Sequence, residues 1–236
     1  MKKMLKYFFP IYWVLWTIAF LFVLVPFLRW ILPSSYEVKV ERYKDSLTCC
    51  KMEDCVRLAQ DYEKYLLKTL GEKYTSDTSR KLEVAYGYEL GRSYDEALKR
   101  YQEAGAGRTL LDQAHVQYKA ENLNESAILF LDYVQWRLDQ SWFSRKETKT
   151  VEGLSDEERY CVVEELCADL FDDGVLEDCS MKEELAERLT IGMKATEFFA
   201  FLENAYASWD AKAQEAYSDK IDLVRDCREF LTKKET

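Results

Sequence analysis

Residues 7–28 carry no charged side chain, and this uncharged run constrains the chain more than any other feature. An α-helix needs about 20 apolar residues to cross the hydrocarbon core of a bilayer. A cleaved secretory signal has a shorter apolar stretch followed by a small-x-small site, whereas Arg29 and Trp30 follow here. The run therefore predicts an uncleaved transmembrane anchor within residues 1–33, which contacts the bilayer through residues 7–32.

The basic residues around this run indicate an orientation. Those before it are closely spaced, at Lys2, Lys3 and Lys6. Those after it are spread out, beginning with Arg29 and Lys39. Because the side of the membrane richer in Lys and Arg is usually cytosolic, the pattern favours a cytosolic tip and a C-terminal domain outside the cytosol.

Composition limits what residues 34–236 can form. The chain has a formal charge of −10, and it contains only 8 glycines and 3 prolines. So few helix breakers predict an all-α fold, in which a transmembrane helix precedes an α-helical hairpin array or helical bundle. No basic patch stands out, which argues against a nucleic-acid partner.

Apolar periodicity, turn residues and capping residues divide the polar part into helices. The predicted helices cover about 52–70, 79–90, 94–104, 109–120, 124–140, 156–174, 181–189, 193–209 and 211–231. Residues 34–48 are a helical extension or a linker. Residues 144–155 are polar and predict a connection between a repeat region at 34–143 and a C-terminal sub-domain at 156–236. Ser155 and Glu158 have the spacing of a capping box.

Two helix pairs in the middle of the chain repeat the same residue types at an offset of 30. This pattern resembles the tetratricopeptide repeat, over residues 78–140. The residues that carry the likeness are Ala85, Tyr88, Ala97, Tyr101 and Ala104 in the first pair and Tyr118 and Ala127 in the second. In such repeats small side chains let antiparallel helices approach closely, and aromatic rings fill the space beside them.

The second pair departs from the family pattern. Leu131 and Val134 replace the expected aromatic and small residues, and His115 stands where a small residue is expected. The offset is also shorter than the family's repeat of about 34 residues. An ordinary helical bundle with two similar hairpins is the alternative.

The resemblance implies a binding groove lined by the first helix of each pair. Carried over position by position, the groove residues are Leu82, Tyr86, Glu89, Leu90, Asp112, Val116 and Lys119. Such a mixed apolar and charged strip suits a peptide or a partner helix. The alternative is that a further helix of the same chain fills the groove.

Trp136, Trp142 and Phe143 lie where a helix ends and the polar connection begins. If their rings are exposed, they form an aromatic patch of the kind found at contact surfaces. The alternative is that they pack beneath the C-terminal helices.

The seven cysteines form no Cys-x-x-Cys pattern. An odd number cannot pair completely within one chain, and most of these residues are expected to be small core side chains. If the domain faces an oxidising compartment, a Cys50–Cys55 or a Cys161–Cys167 disulfide can form. The presence of these cysteines argues mildly against the orientation given above.

No residue pattern indicates catalysis. The single histidine, His115, has no catalytic partner in sequence, and no nucleophile elbow, phosphate loop or zinc motif is present. Acidic residues from Asp169 to Asp178 lack the spacing of a calcium loop. We therefore expect no cofactor and no metal.

These observations favour a single-pass membrane protein whose helical-repeat domain binds other, membrane-associated proteins as a scaffold or assembly factor. Two alternatives are a membrane-tethered enzyme or metal/redox protein that uses the cysteines or the acidic segment, and a structural subunit of a larger membrane complex.

Overall fold

A computed structural model of the chain describes residues 35–105, 107, 109–140, 150–172 and 195–234. Every regular element in these ranges is helical, which confirms the all-α prediction. Within the same ranges, no helix has both the length and the apolar character needed to cross a membrane. The predicted anchor at residues 7–28 lies outside the described residues, as does the predicted helix at 181–189.

The helices agree closely with the predicted elements. They are α1 (Ser35–Cys49), α2 (Met52–Leu70), α3 (Glu72–Thr75), α4 (Thr78–Leu90), α5 (Tyr94–Ala104), α6 (Leu110–Lys119), α7 (Leu123–Gln140), α8 (Asp156–Asp172), α9 (Ala195–Ala207) and α10 (Ala211–Lys234). A short 3-10 turn at Val151–Gly153 lies within the predicted connection at 144–155.

The chain divides into two compact units, residues 1–45 and residues 46–236. In the first unit, the described residues belong to α1, where Lys44 and Glu41 form an ion pair of 3.6 Å one turn apart. The second unit contains the end of α1 and every helix from α2 to α10.

Local capping explains where several helices begin and end. The Asp77 carboxylate accepts a hydrogen bond of 3.0 Å from the backbone N–H of Arg80, which satisfies one of the unpaired donors at the start of α4. The predicted capping box is confirmed at α8, since the Glu158 carboxylate accepts from the Ser155 backbone N–H at 2.9 Å. Gly71 ends α2 with a positive φ of 56°, which glycine adopts without steric cost.

Consecutive helices of the second unit pack against one another. α4 packs on α5, α5 on α6 and α6 on α7, and α2 packs against α4. The hydroxyl of Thr78, at the start of α4, donates to the carbonyl of Ala104, at the end of α5, so this pair is antiparallel. Helix α4 ends close to α2, because a Cβ built on Gly91 would lie 2.4 Å from Cγ2 of Val56.

One hydrophobic core extends from α6 and α7 to the C-terminal helices. Phe130 on α7 is completely buried, and its ring contacts the rings of Phe198 and Phe199 on α9, with centroids 5.1 and 6.2 Å apart. Leu166 on α8 and Val224 on α10 belong to the same cluster. The core therefore contains residues from both sides of the predicted connection at 144–155.

Tyrosine hydroxyls donate to carboxylates at many of the contacts between helices. The pairs are Tyr62–Glu83, Tyr74–Glu63, Tyr88–Glu63, Tyr101–Glu89, Tyr133–Asp169 and Tyr217–Asp132. Most of these carboxylates are also bonded to a basic side chain, as Glu83 is to Arg80 at 2.5 Å. A carboxylate bonded in this way keeps its charge satisfied where water has little access.

Candidate partner-binding surface

The predicted groove residues lie on α4 and α6, the first helices of the two central pairs. Leu82, Tyr86 and Val116 are at most 1% exposed, so their side chains have no surface for a partner in this structure. Glu89 is also buried. The remaining three, Leu90, Asp112 and Lys119, are half-buried and keep some accessible surface.

The burial of α4 extends around its whole circumference. Residues 82–89 are all buried, including the two charged side chains Glu83 and Glu89. Helices α2, α3 and α5 pack against it. A helix that is buried on every face is a core element rather than one wall of an open groove.

Glu89 connects three helices of this region. Its Oε1 accepts from Nζ of Lys119 on α6 at 2.6 Å, and its Oε2 accepts from the hydroxyl of Tyr101 on α5 at 2.6 Å. Both carboxylate oxygens therefore have a strong donor, one of them cationic. Burial and the nearby Glu89 carboxylate raise the pKa of Tyr101 well above its ordinary value, so this hydroxyl remains a donor at neutral pH.

One side of the second predicted groove helix, α6, contacts α9 of the same chain. The ring of Phe198 meets those of His115 and Tyr118 edge-on, with centroids 6.1 and 6.3 Å apart. Phe201 also contacts Tyr118, at 5.1 Å. At His115 and Tyr118, the chain's own C-terminal region therefore occupies the space beside α6.

His115 is packed rather than exposed, at 7% of its surface. Burial and the neighbouring Lys119 ammonium lower its pKa from 6.5 to about 3, so the ring is neutral at physiological pH. Within the described residues, its buried Nε2 has no hydrogen-bond partner. A buried nitrogen left without a hydrogen bond costs stability.

The predicted repeat-packing residues lie at the contacts between helices. Ala85, Ala97 and Ala127 have no exposed surface, and Tyr88 and Tyr101 are also buried. Ala104 and Tyr118 are half-buried. Small residues at these contacts allow the close helix approach that both a repeat array and an ordinary helical hairpin require.

The predicted aromatic patch is described only at Trp136. Its ring stacks on Tyr133 with centroids 5.7 Å apart, and it is partly buried against the main core. A Cβ built on Gly107 would lie 2.2 Å from the Trp136 ring, so the turn after α5 covers this ring. Trp142 and Phe143 lie outside the described residues.

One of the two disulfides that the sequence allows is present. Cys50 and Cys55 form a disulfide at the start of α2, whereas Cys161 and Cys167 are not joined to each other. Cys49, directly before the disulfide, is an exposed free thiol.

Asp169, at the start of the acidic segment, holds two helices together. Arg137 on α7 donates to both of its oxygens, at 2.6 and 2.8 Å, and the hydroxyl of Tyr133 donates to one of them at 2.5 Å. Asp173, Glu177 and Asp178 lie outside the described residues. Within the described part of the chain, no three His, Cys, Asp or Glu side chains converge as a metal site requires.

No sequence pattern predicts these tyrosine–carboxylate contacts. The only signal was the abundance of tyrosine, 16 residues in a chain of 236. The partners are far apart in sequence, as Tyr217 and Asp132 are, so no local pattern connects them.

No family model, curated protein or solved structure matches the chain.

Proposed function

We propose that this chain is a membrane-anchored helical-repeat module that binds a membrane-associated protein as a scaffold or assembly factor. The observation that carries the proposal is an uncharged run at residues 7–28 joined to tandem helix pairs in which equivalent positions are 30 residues apart. A run of this length suits a single crossing of the bilayer. Tandem helix pairs present long, regular surfaces of the kind that bind proteins.

The orientation we propose places the helical domain outside the cytosol. Disulfides persist in oxidising compartments and are rare in the cytosol. The Cys50–Cys55 disulfide therefore agrees with the clustering of lysines before the anchor, which favours a cytosolic tip.

The partner surface we propose consists of the accessible residues at the C-terminal end of α4 and on α6. Leu90, Asp112 and Lys119 are the predicted groove residues that keep accessible surface. They combine one apolar side chain with a negative and a positive charge, which suits a mixed peptide or helix surface. The buried floor formed by Leu82, Tyr86 and Val116 would support this edge rather than contact the partner.

Membrane attachment is tested by washing membranes at alkaline pH. The full-length chain should stay in the pellet, and a chain that lacks residues 7–28 should be released. Recovery of the full-length chain in the soluble fraction contradicts the anchor.

Orientation is tested through Cys49, the exposed free thiol. A maleimide that cannot cross membranes should label the protein in intact cells, and Cys49→Ala should reduce this labelling. Labelling of Cys49 only after lysis places the domain in the cytosol.

The partner surface is tested by photo-crosslinking in membranes. A photoreactive residue at Leu90 or Asp112 should give a discrete crosslinked protein, whereas one at the exposed Gln102 on α5 should not. Equal crosslinking from Gln102, or none from either groove position, contradicts the proposed surface.

A further inference from the structure

Cys167 and Cys227 lie at a buried contact between two C-terminal helices. Cys167 is on α8 and Cys227 is on α10, and the two helices pack against each other. The two residues are 3% and 0% exposed, and both are thiols in this structure.

The two side chains point toward each other across this contact. Sγ of Cys167 lies 3.8 Å from the backbone carbonyl oxygen of Cys227 itself. Sγ of Cys227 lies 4.0 Å from the carbonyl oxygen of Val163, one turn before Cys167 on α8. Each sulfur thus reaches the helix that carries the other. A hydrogen bond with the Cys167 thiol, together with burial, raises the pKa of Cys227.

We propose that Cys167 and Cys227 form a second disulfide, which joins α8 to α10 when the chain folds in the oxidising space that forms Cys50–Cys55. The co-reactant is a low-molecular-weight disulfide. One cysteine thiolate attacks it and forms a mixed disulfide, which releases one small thiol. The second cysteine thiolate then attacks the protein sulfur of that bond and releases the other. Two electrons pass to the small disulfide, and the two cysteine protons pass to the released thiols.

The timing of this reaction follows from burial. Thiol–disulfide exchange needs an accessible thiolate. Burial at the folded α8–α10 contact limits both the access of solvent to the two sulfurs and their ionisation. The bond therefore forms during folding, before the contact closes. It is then protected from reductants as long as the helices stay packed.

The consequence is a cross-link over a large part of the domain. The residues between Cys167 and Cys227 include the whole of α9, whose aromatic side chains contact α6. A bond that closes this loop restricts the unfolded chain and holds α9 and α10 against the rest of the core.

The first experiment maps the disulfides. The full-length protein in detergent is unfolded with reductant and refolded in reduced and oxidised glutathione, at the ratio at which Cys50–Cys55 is completely formed. Thiols are then alkylated, and the digested peptides are identified by mass spectrometry. A linked peptide pair that contains Cys167 and Cys227 is the expected result. Alkylation of both cysteines, or a link from either to Cys161 or Cys179, overturns the proposal.

The second experiment separates the new bond from the known one. In the Cys50→Ala/Cys55→Ala variant, oxidised refolding should raise the thermal midpoint by on the order of 10 °C over the reduced sample. Adding Cys167→Ala should remove this redox dependence. The matched control Cys161→Ala, on the same helix, should retain it. A midpoint that does not depend on redox state in the Cys50→Ala/Cys55→Ala variant contradicts the cross-link.

Discussion

Glu89 at the end of α4 and Lys119 at the end of α6 form an ion pair of 2.6 Å and lie 30 residues apart, at equivalent positions of the two central helix pairs. The offset of the sequence repeat is therefore also the spacing of a direct contact between the pairs. Because the hydroxyl of Tyr101 bonds the same carboxylate, α5 is joined to this contact as well.

Removing one partner of this ion pair should destabilise the domain. Lys119→Met leaves the Glu89 carboxylate, whose side chain is 4% exposed, without its cation, and we expect a loss of about 3 kcal/mol in unfolding free energy. Glu89→Gln keeps an acceptor for Tyr101 and should cost less, about 1–2 kcal/mol. Urea unfolding of the full-length protein in detergent measures both.

The double variant and an exposed pair provide the controls. Glu89→Gln/Lys119→Met should cost less than the sum of the single changes, because neither charge is then left alone. Asp61→Asn should change little, since Asp61 and Lys64 are largely exposed and 3.9 Å apart. Additive costs for Glu89 and Lys119 would show that the two charges are not coupled.

His115 should make the domain sensitive to mild acid. Its pKa is about 3 in the folded protein, whereas an unfolded histidine titrates near 6.5. Between these values only the unfolded chain binds the proton, so stability is complete above about pH 6.5 and is lost as the pH falls, by about 1.4 kcal/mol per unit.

The variant His115→Leu isolates this effect. Leucine cannot be protonated and leaves no unsatisfied nitrogen against Phe198, so its unfolding free energy should fall less than that of the wild type between pH 7.5 and pH 5.5. The expected difference is about 1.4 kcal/mol, from urea unfolding at the two pH values. Equal losses in both proteins contradict the assignment.

The helices could be predicted from local sequence because their signals are local. Residues 52–70 and 94–104 were predicted with the bounds that the structure shows for α2 and α5, since Gly71 and Gly105 follow them directly. The four-residue α3 was not predicted, because Glu72–Thr75 is too short to show a helical period.

The accessibility of the groove could not be predicted in the same way. A repeat pattern assigns Leu82 and Tyr86 to one face of α4, but it does not show which other helices cover that face. The contact of α9 with Tyr118 depends on residues about 80 positions away in the chain. Periodicity identified the helical elements, and non-local packing decided which of their faces are accessible.

Gly91 should be intolerant of any side chain. A Cβ there would lie 2.4 Å from Cγ2 and 3.0 Å from the backbone nitrogen of Val56. Val56 cannot move away easily, because its side chain is β-branched and its backbone is also in contact. We expect Gly91→Ala to lower the unfolding free energy by about 1–3 kcal/mol. Gly153→Ala is the matched control, since its nearest neighbour is Thr150 Oγ1 at 3.6 Å, and it should stay within about 0.5 kcal/mol. Equal stability of the two variants contradicts close packing at Gly91.

The tyrosine–carboxylate contacts should make the domain sensitive to alkali. Burial, followed by the Asp132 carboxylate, raises the pKa of Tyr217 to about 12, and similar causes raise the pKa of Tyr101 and Tyr133. An unfolded tyrosine titrates near 10. Above about pH 10 the unfolded chain therefore loses protons that the folded chain keeps, so the stability from these contacts is present below pH 10 and is lost as the pH rises.

Alkaline titration tests this expectation. The last part of the rise in tyrosinate absorbance should coincide with the loss of helical circular dichroism of the full-length protein, because the buried hydroxyls ionise when the domain unfolds. Tyr217→Phe should lower stability at pH 8 by about 1 kcal/mol and reduce its loss at higher pH, since the phenyl ring keeps its packing but has no proton to lose. Tyr160→Phe is the control, because Tyr160 is 55% exposed and its ring contacts Phe230. Complete tyrosinate absorbance before any loss of helix would show that carboxylates do not hold these hydroxyls in the folded protein.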